Sequence, residues 1–344
     1  MKINLKNIKK EDLERLCLDK DYNMAAAQAL FEYCFYTSDN PHSEQNLIDF
    51  LEIDLSDKEE KKVYQSRFKP AIKLVKDTFS DNYYRKNINP KPFKDKEYEL
   101  TYLKIKPGQC LPVDDILIDE NFVEVSQIGY FNDSFKYLAV NKDDVTWMST
   151  DPNEINTMAS CINKAKGNVM AFGLGLGYFP IMCASKKEVS KVLVVEKDPK
   201  IISIFKKHIL PLCEFKDKIE VVCGDAFDYA RNNTFSEYDY LFIDIWHNPE
   251  DGLPMYLKLF RLLKGKKIVV DYWLEKSILA MYRRCFLTLI EEYMHGYKDS
   301  DYKKSKNEYD EIINDLYFKT KNMSFNSIEE IRSILKDNNL KKLI

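Results

Sequence analysis

Glycine is scarce in this chain, with ten in 344 residues, less than half the usual share of about 7%. No C-x-x-C pair occurs among its eight cysteines, at 17, 34, 110, 161, 183, 213, 223 and 285. A zinc ribbon or redox pair of the usual spacing is thereby excluded. Several of the cysteines lie in apolar stretches, so reduced, buried thiols are expected, and neither a disulfide framework nor a metal site. No apolar run reaches 18 residues, so no membrane-spanning helix is expected. Met1 to Lys6 carry none of the apolar core of a signal peptide, and a cytoplasmic location is expected. Charge of one sign is also missing. The 52 basic and 55 acidic residues leave a net charge of −3, so no global field draws the chain to nucleic acid or membrane. Arginine contributes only 8 of the basic residues. Residues 58–106 hold 14 Lys and Arg against 7 Asp and Glu. That excess reads as a lysine-rich solvated surface, because arginine is expected where phosphates are gripped bidentately.

What remains is an ordinary globular composition, 45% hydrophobic and 31% charged. The length suffices for two or three structural units. Residues 1–95 read as a helical N-terminal region, with a turn at Asp39-Asn-Pro41, a helix expected over Ala71 to Phe79, and a Pro-containing linker at 87–93. Residues 96–150 alternate polar and apolar, as in Phe122-Val-Glu-Val-Ser-Gln-Ile, and read as a small antiparallel β region. Residues 151–275 alternate apolar runs with helix-length segments, and 276–344 read as a helical C-terminal extension. The stretch Ala25 to Phe35 is apolar enough for two roles, an internal core or the surface of a homodimer.

Three of the ten glycines fall within five residues. Val169-Met-Ala-Phe-Gly173-Leu-Gly175-Leu-Gly177 is an apolar run that breaks into glycine. A strand that turns sharply into a helix beside a ligand needs residues of this kind, which tolerate positive φ and carry no side chain. The spacing is G-x-G-x-G, one residue short of the dinucleotide fingerprint. Three further apolar runs follow and end in acids: Val192 to Glu196, Ile219 to Asp225, and Tyr240 to Asp244. Such a series describes a parallel sheet with a nucleoside-sized ligand across its carboxyl edge.

This constellation resembles the class I S-adenosylmethionine-dependent methyltransferases, over about residues 150–273. The resemblance implies a Rossmann-like doubly wound parallel α/β sheet with S-adenosyl-L-methionine as cofactor. Gly173, Gly175 and Gly177 match that superfamily's glycine loop. Glu196 matches its ribose acid, and Asp225 with Ala226 its adenine turn. Asp244 matches the acid that closes its fourth motif. A β-rich region ahead of the core points to the spermidine-synthase-like branch. Its G-G-G-x-G loop and D-x-x-D-P segment are absent, however: the chain reads Asp244-Ile-Trp-His247-Asn248-Pro249. Aminopropyl transfer is weakened by the missing second acid. The segment also lacks the N/D-P-P-Y/F loop of enzymes acting on exocyclic amines and the Pro-Cys of cytosine C5 enzymes, so nucleic acid is not the favoured acceptor.

The expected activity is direct methyl transfer to a small molecule, with Asp244 and His247 as candidate bases. Structural roles compete at each position. The glycines suit a bare turn, Glu196 a solvated strand end, Asp225 a helix N-cap, Asp244 a buried acid on backbone amides, and His247 a surface position. The resemblance also implies that Trp147, Ser149 and Thr150 are candidate pocket residues, because the corresponding segment borders the cofactor in those enzymes. A cofactor-binding assembly protein is the alternative from outside enzymology.

Overall fold

Aliphatic runs between helix caps make the centre of the molecule a parallel sheet. The computed structural model describes residues 5, 7–76, 79–298, 300–303, 305 and 307–344. Five core strands, Gly167–Phe172, Val189–Glu196, Ile219–Cys223, Tyr240–Ile243 and Val269–Tyr272, lie in the spatial order third, second, first, fourth, fifth. Every neighbouring pair is parallel, and Val169 is in register with Val192 on one side and Tyr240 on the other. Consecutive residues Val169 to Phe172 and Tyr240 to Ile243 are all buried. Successive side chains on a strand point to opposite faces, so helices must cover both faces of this sheet. Those helices include Pro152–Lys164, Tyr178–Ala184, Ala226–Asn232 and Pro249–Leu263. The strand order reverses between the first and fourth strands, which opens a crevice at their carboxyl ends.

Among the described residues the sheet stops at five strands. Val269 is exposed on the edge, and Leu274, in the left-handed region at φ 54°, turns the chain into the helix Glu275–Met294. This helix packs against Pro249–Leu263 and against the N-terminal helix Lys10–Tyr36. Lys20 Nζ meets Glu291 Oε2 at 2.7 Å across the latter contact. Ala26, Leu30 and Tyr33 of the N-terminal helix are buried, whereas Phe31 and Phe35 on its other side are 51% and 65% exposed. The apolar stretch therefore serves a core on one face and leaves the other open.

Two sheets precede the core. Four antiparallel strands comprise Phe93–Lys94, Tyr98–Ile105, Phe135–Lys142 and Val145–Ser149. The last pair is closed by Asp143 and Asp144 at φ 49° and 62°, the two positive angles of a type I′ hairpin. The second sheet corrects an expectation. Within the predicted helix Ala71 to Phe79, Ile72–Leu74 forms a strand parallel to Glu124–Tyr130, and residues 77 and 78 of that segment lie outside the described residues. Pro70 sits in the short turn Lys69–Ala71. An available sheet edge outweighed local helix propensity here. The sequence pattern also predicts a helix from Pro254 to Leu263, and the structure lengthens it. It starts at Pro249, with Asn248 and Asp251 forming a reciprocal capping box and Pro254 inside it.

Candidate functional site

The hydrogen-bond ladder runs one residue past the core strands and fixes the acids at the rim. Gly173 N–H donates to Val195 O, Gly224 N–H to Glu196 O, and Asp244 N–H to Phe172 O, each at 2.9 Å. The loops that leave these strand ends surround a cleft of about 440 Å³, within the range of small-ligand sites. Gly173, Gly175, Glu196, Asp225, Ala226, Asp244 and His247 all line it.

The three glycines do different work. At Gly173 (φ 93°) a Cβ would overlap the carbonyl oxygen of Asp244, so its absence lets the first and fourth strand ends touch. At Gly177 (φ 75°) a Cβ would overlap the Phe205 ring, and the residue does not line the cleft. At Gly175 (φ 52°) a Cβ would meet no protein atom within 4 Å. This is the position where bare backbone faces open space in the cleft.

The acids divide into two groups. Glu196, 8% exposed, accepts from Leu174 N at 3.0 Å and from Asp198 N at 2.8 Å, so it braces the glycine loop. Asp225 Oδ1 caps the helix Ala226–Asn232, accepting from Phe227 N at 2.8 Å and Asp228 N at 3.1 Å. The capping role foreseen for Asp225 thus coexists with a place in the cleft. Asp244 has no such brace among the described residues. Burial, reinforced by the charge of Glu196, pushes its carboxyl up to about 7. Glu154, on the helix Pro152–Lys164, is raised well above the usual range by burial, then by Asp244 and Asp151. Five carboxylates, Glu154, Glu196, Asp198, Asp225 and Asp244, line the cleft against one lysine, Lys197. A wall so acidic, and desolvated at Glu154 and Asp244, fits a cationic ligand, because a positive charge relieves both the repulsion and the lost hydration.

His247 lies at the mouth. Asp251 Oδ2 is 3.0 Å from its Nδ1. A carboxylate can only accept, so Nδ1 carries the proton and Nε2 is left as an acceptor in the neutral ring. The Trp147 ring lies 4.2 Å from the His247 ring between centroids, tilted by 60°. Trp147 and Ser149 line the cleft; Thr150 does not, its hydroxyl being engaged with Leu138 in the β lobe. His208 stacks on Phe93, a packing role away from the cleft. Sequence patterns missed Glu154 as a lining residue, and they missed Asp251 as the partner of His247. The capping-box spacing Asn248-x-x-Asp251 was the available signal for the second.

Residues 134–274 match the TRM5/TYW2 methyltransferase domain. No curated protein matches the chain. Among solved structures, the spermidine synthase of Thermotoga maritima is 15% identical, with a TM-score of 0.32, over 44% of this chain and 58% of its own. A conserved hypothetical protein of Streptococcus pyogenes is 16% identical, with a TM-score of 0.28, over 33% of this chain and 71% of its own. The chain therefore spans under two thirds of the synthase's length. The matched segment is a class I methyltransferase domain, and domains of this kind bind S-adenosylmethionine.

Proposed function

We propose that the chain transfers a methyl group from S-adenosylmethionine to a small acceptor entering beside Trp147 and His247. The observation that carries this reading is the convergence of an open-faced Gly175 and five acids on one cleft. When bound, the cofactor supplies a methyl already activated on a sulfonium. Glu196 would hold the ribose hydroxyls with the lone pairs its two amide bonds leave free. Asp225 would use Oδ2 toward the base. Glu154 and Asp244 would face the cationic end. Together these residues would hold a donor that gives up its methyl and leaves as a neutral thioether. His247 Nε2, or Asp244, takes the acceptor's proton when the acceptor must lose one. Alignment of this kind supplies about 7–11 kcal/mol of a barrier.

A small acceptor is favoured because the acidic wall repels phosphodiesters. A transfer-RNA acceptor is the second reading, supported by the TRM5/TYW2 match. Aminopropyl transfer would use the decarboxylated cofactor and stays the weaker alternative. A cytoplasmic location belongs with these proposals; among the described residues, no helix is long and apolar enough to cross a membrane. A homodimer through the Phe31 and Phe35 face is likewise a proposal.

Calorimetry with intact, decarboxylated and demethylated cofactor tests the reading. Preference for the intact form over the decarboxylated one supports methyl transfer. The opposite preference supports aminopropyl transfer, and no binding of any form removes both. Tritium transfer to fractionated cell extract, with and without ribonuclease treatment, then separates a small acceptor from RNA.

A further inference from the structure

The glycine loop is braced on its cleft side by Glu196, but its outer side is held by a segment far away in sequence. Tyr84 lies in the short helix Tyr83–Asn87, is 2% exposed, and donates its hydroxyl to Leu176 O at 2.6 Å. Leu176 sits between the left-handed residues Gly175 and Gly177. Its carbonyl has no donor in the helix that follows, since the residue four positions ahead is Pro180, which has no N–H. A buried carbonyl needs a partner, and Tyr84 supplies one. Asn82 Nδ2 donates to Tyr178 Oη at 2.7 Å, and the Tyr84 and Tyr178 rings meet edge to face at 5.4 Å. Leu176 and Tyr178 both line the cleft. Residues 82–84 lie outside the segment that matches the methyltransferase domain.

We infer that Tyr84 and Asn82 are positioning residues for the cofactor loop, so the N-terminal region completes the cofactor site. The inference rests on the cofactor reading above for its effect on affinity. Its effect on the loop is independent of that reading.

The test uses the full chain with Tyr84→Phe, which keeps the buried ring and removes only the hydroxyl. Tyr102→Phe is the matched control, losing one hydroxyl bond to Pro90 O at 3.1 Å, in the β lobe. Hydrogen exchange is read first, without cofactor. Amides of residues 174–178 are expected to exchange about ten-fold faster in Tyr84→Phe and at the wild-type rate in Tyr102→Phe. Calorimetry with S-adenosylmethionine is expected to show about ten-fold weaker binding for Tyr84→Phe alone. Asn82→Ala is expected to move both readouts in the same direction by a smaller factor. Unchanged loop exchange in Tyr84→Phe overturns the inference. So does equal loss of affinity in Tyr84→Phe and Tyr102→Phe. Faster loop exchange in a protein that binds no cofactor at wild type would keep the positioning role and sink the proposed function instead.

Discussion

The two sides of the cleft are built on opposite principles. On the side of the second and third strands, Glu196 and Asp225 are each bonded to two backbone amides. On the side of the fourth strand, Asp244 and Glu154 repel each other in a desolvated wall, with no amide among the described residues to relieve them. The first side stores order before a ligand arrives. The second stores an electrostatic demand that a cation satisfies. A site that holds one part of its ligand and acts on another needs both kinds of wall.

Removing the braced acid should have the largest effect. Glu196→Ala takes an acceptor from two amides, and a hydrogen bond to a charged group contributes about 1.5–3 kcal/mol. Cofactor affinity by calorimetry is expected to fall by about 100-fold or more, with a clear drop in Tm. A variant that binds normally would erase the distinction between the two walls.

His247→Gln removes the candidate base and leaves the braces intact. Tritium transfer to an acceptor-containing fraction is expected to fall by about 100-fold, with cofactor affinity unchanged. An unchanged rate would mean that the acceptor loses its proton to water.

Asp244→Asn sharpens the comparison through pH. Only the carboxylate attracts a cation, so wild-type cofactor affinity should rise as pH passes through about 7; in the variant that rise should flatten, leaving binding about ten-fold weaker at pH 8. The folded-state pKa of this acid is raised, so its folded form becomes increasingly costly as pH climbs from the ordinary carboxylate range to about 7. Asp244→Asn should therefore raise Tm at pH 8 and leave it nearly unchanged at pH 4. A lower Tm at pH 8 would contradict the electrostatic account.

The smallest effect separates two glycines. Gly175→Ala puts a methyl into open cleft at positive φ, at a conformational cost of about 1–2 kcal/mol, and is expected to weaken binding several-fold with a small change in Tm. Gly177→Ala drives a methyl into the Phe205 ring, and is expected to lower Tm more than Gly175→Ala does. Reversed rankings would show that the loop faces the other way.

Much of the core was legible in advance. The apolar runs ending in Glu196, Asp225 and Asp244 became parallel strands of one sheet, the first two adjacent and the third on the far side of Gly167–Phe172, with their carboxyl ends along one edge. Short-range chemistry explains that legibility, since strand periodicity, a glycine turn and a terminal acid are all local. Other features had a weak local signal or none. Glu154 sits in the first turn of its helix, ordinary helix-start chemistry, and only the folded chain brings it within reach of the Asp244 charge. The helix at Pro249 opens on Asn248-Pro-Glu-Asp-Gly252, residue types that also favour turns, and the capping box decides for the helix. Ile72–Leu74 became a strand because a free edge beside Ile128 was there to receive it.

By itself, the sequence determined the parallel core, the glycine loop and the acids at its rim, because each is written in contiguous residues. Tertiary structure alone decided which acids share a desolvated wall, which glycine of the loop faces open space in the cleft, and that Tyr84 reaches Leu176 across 92 positions of chain. Burial and charge repulsion depend on distance through space, and distance along the chain carries no record of it.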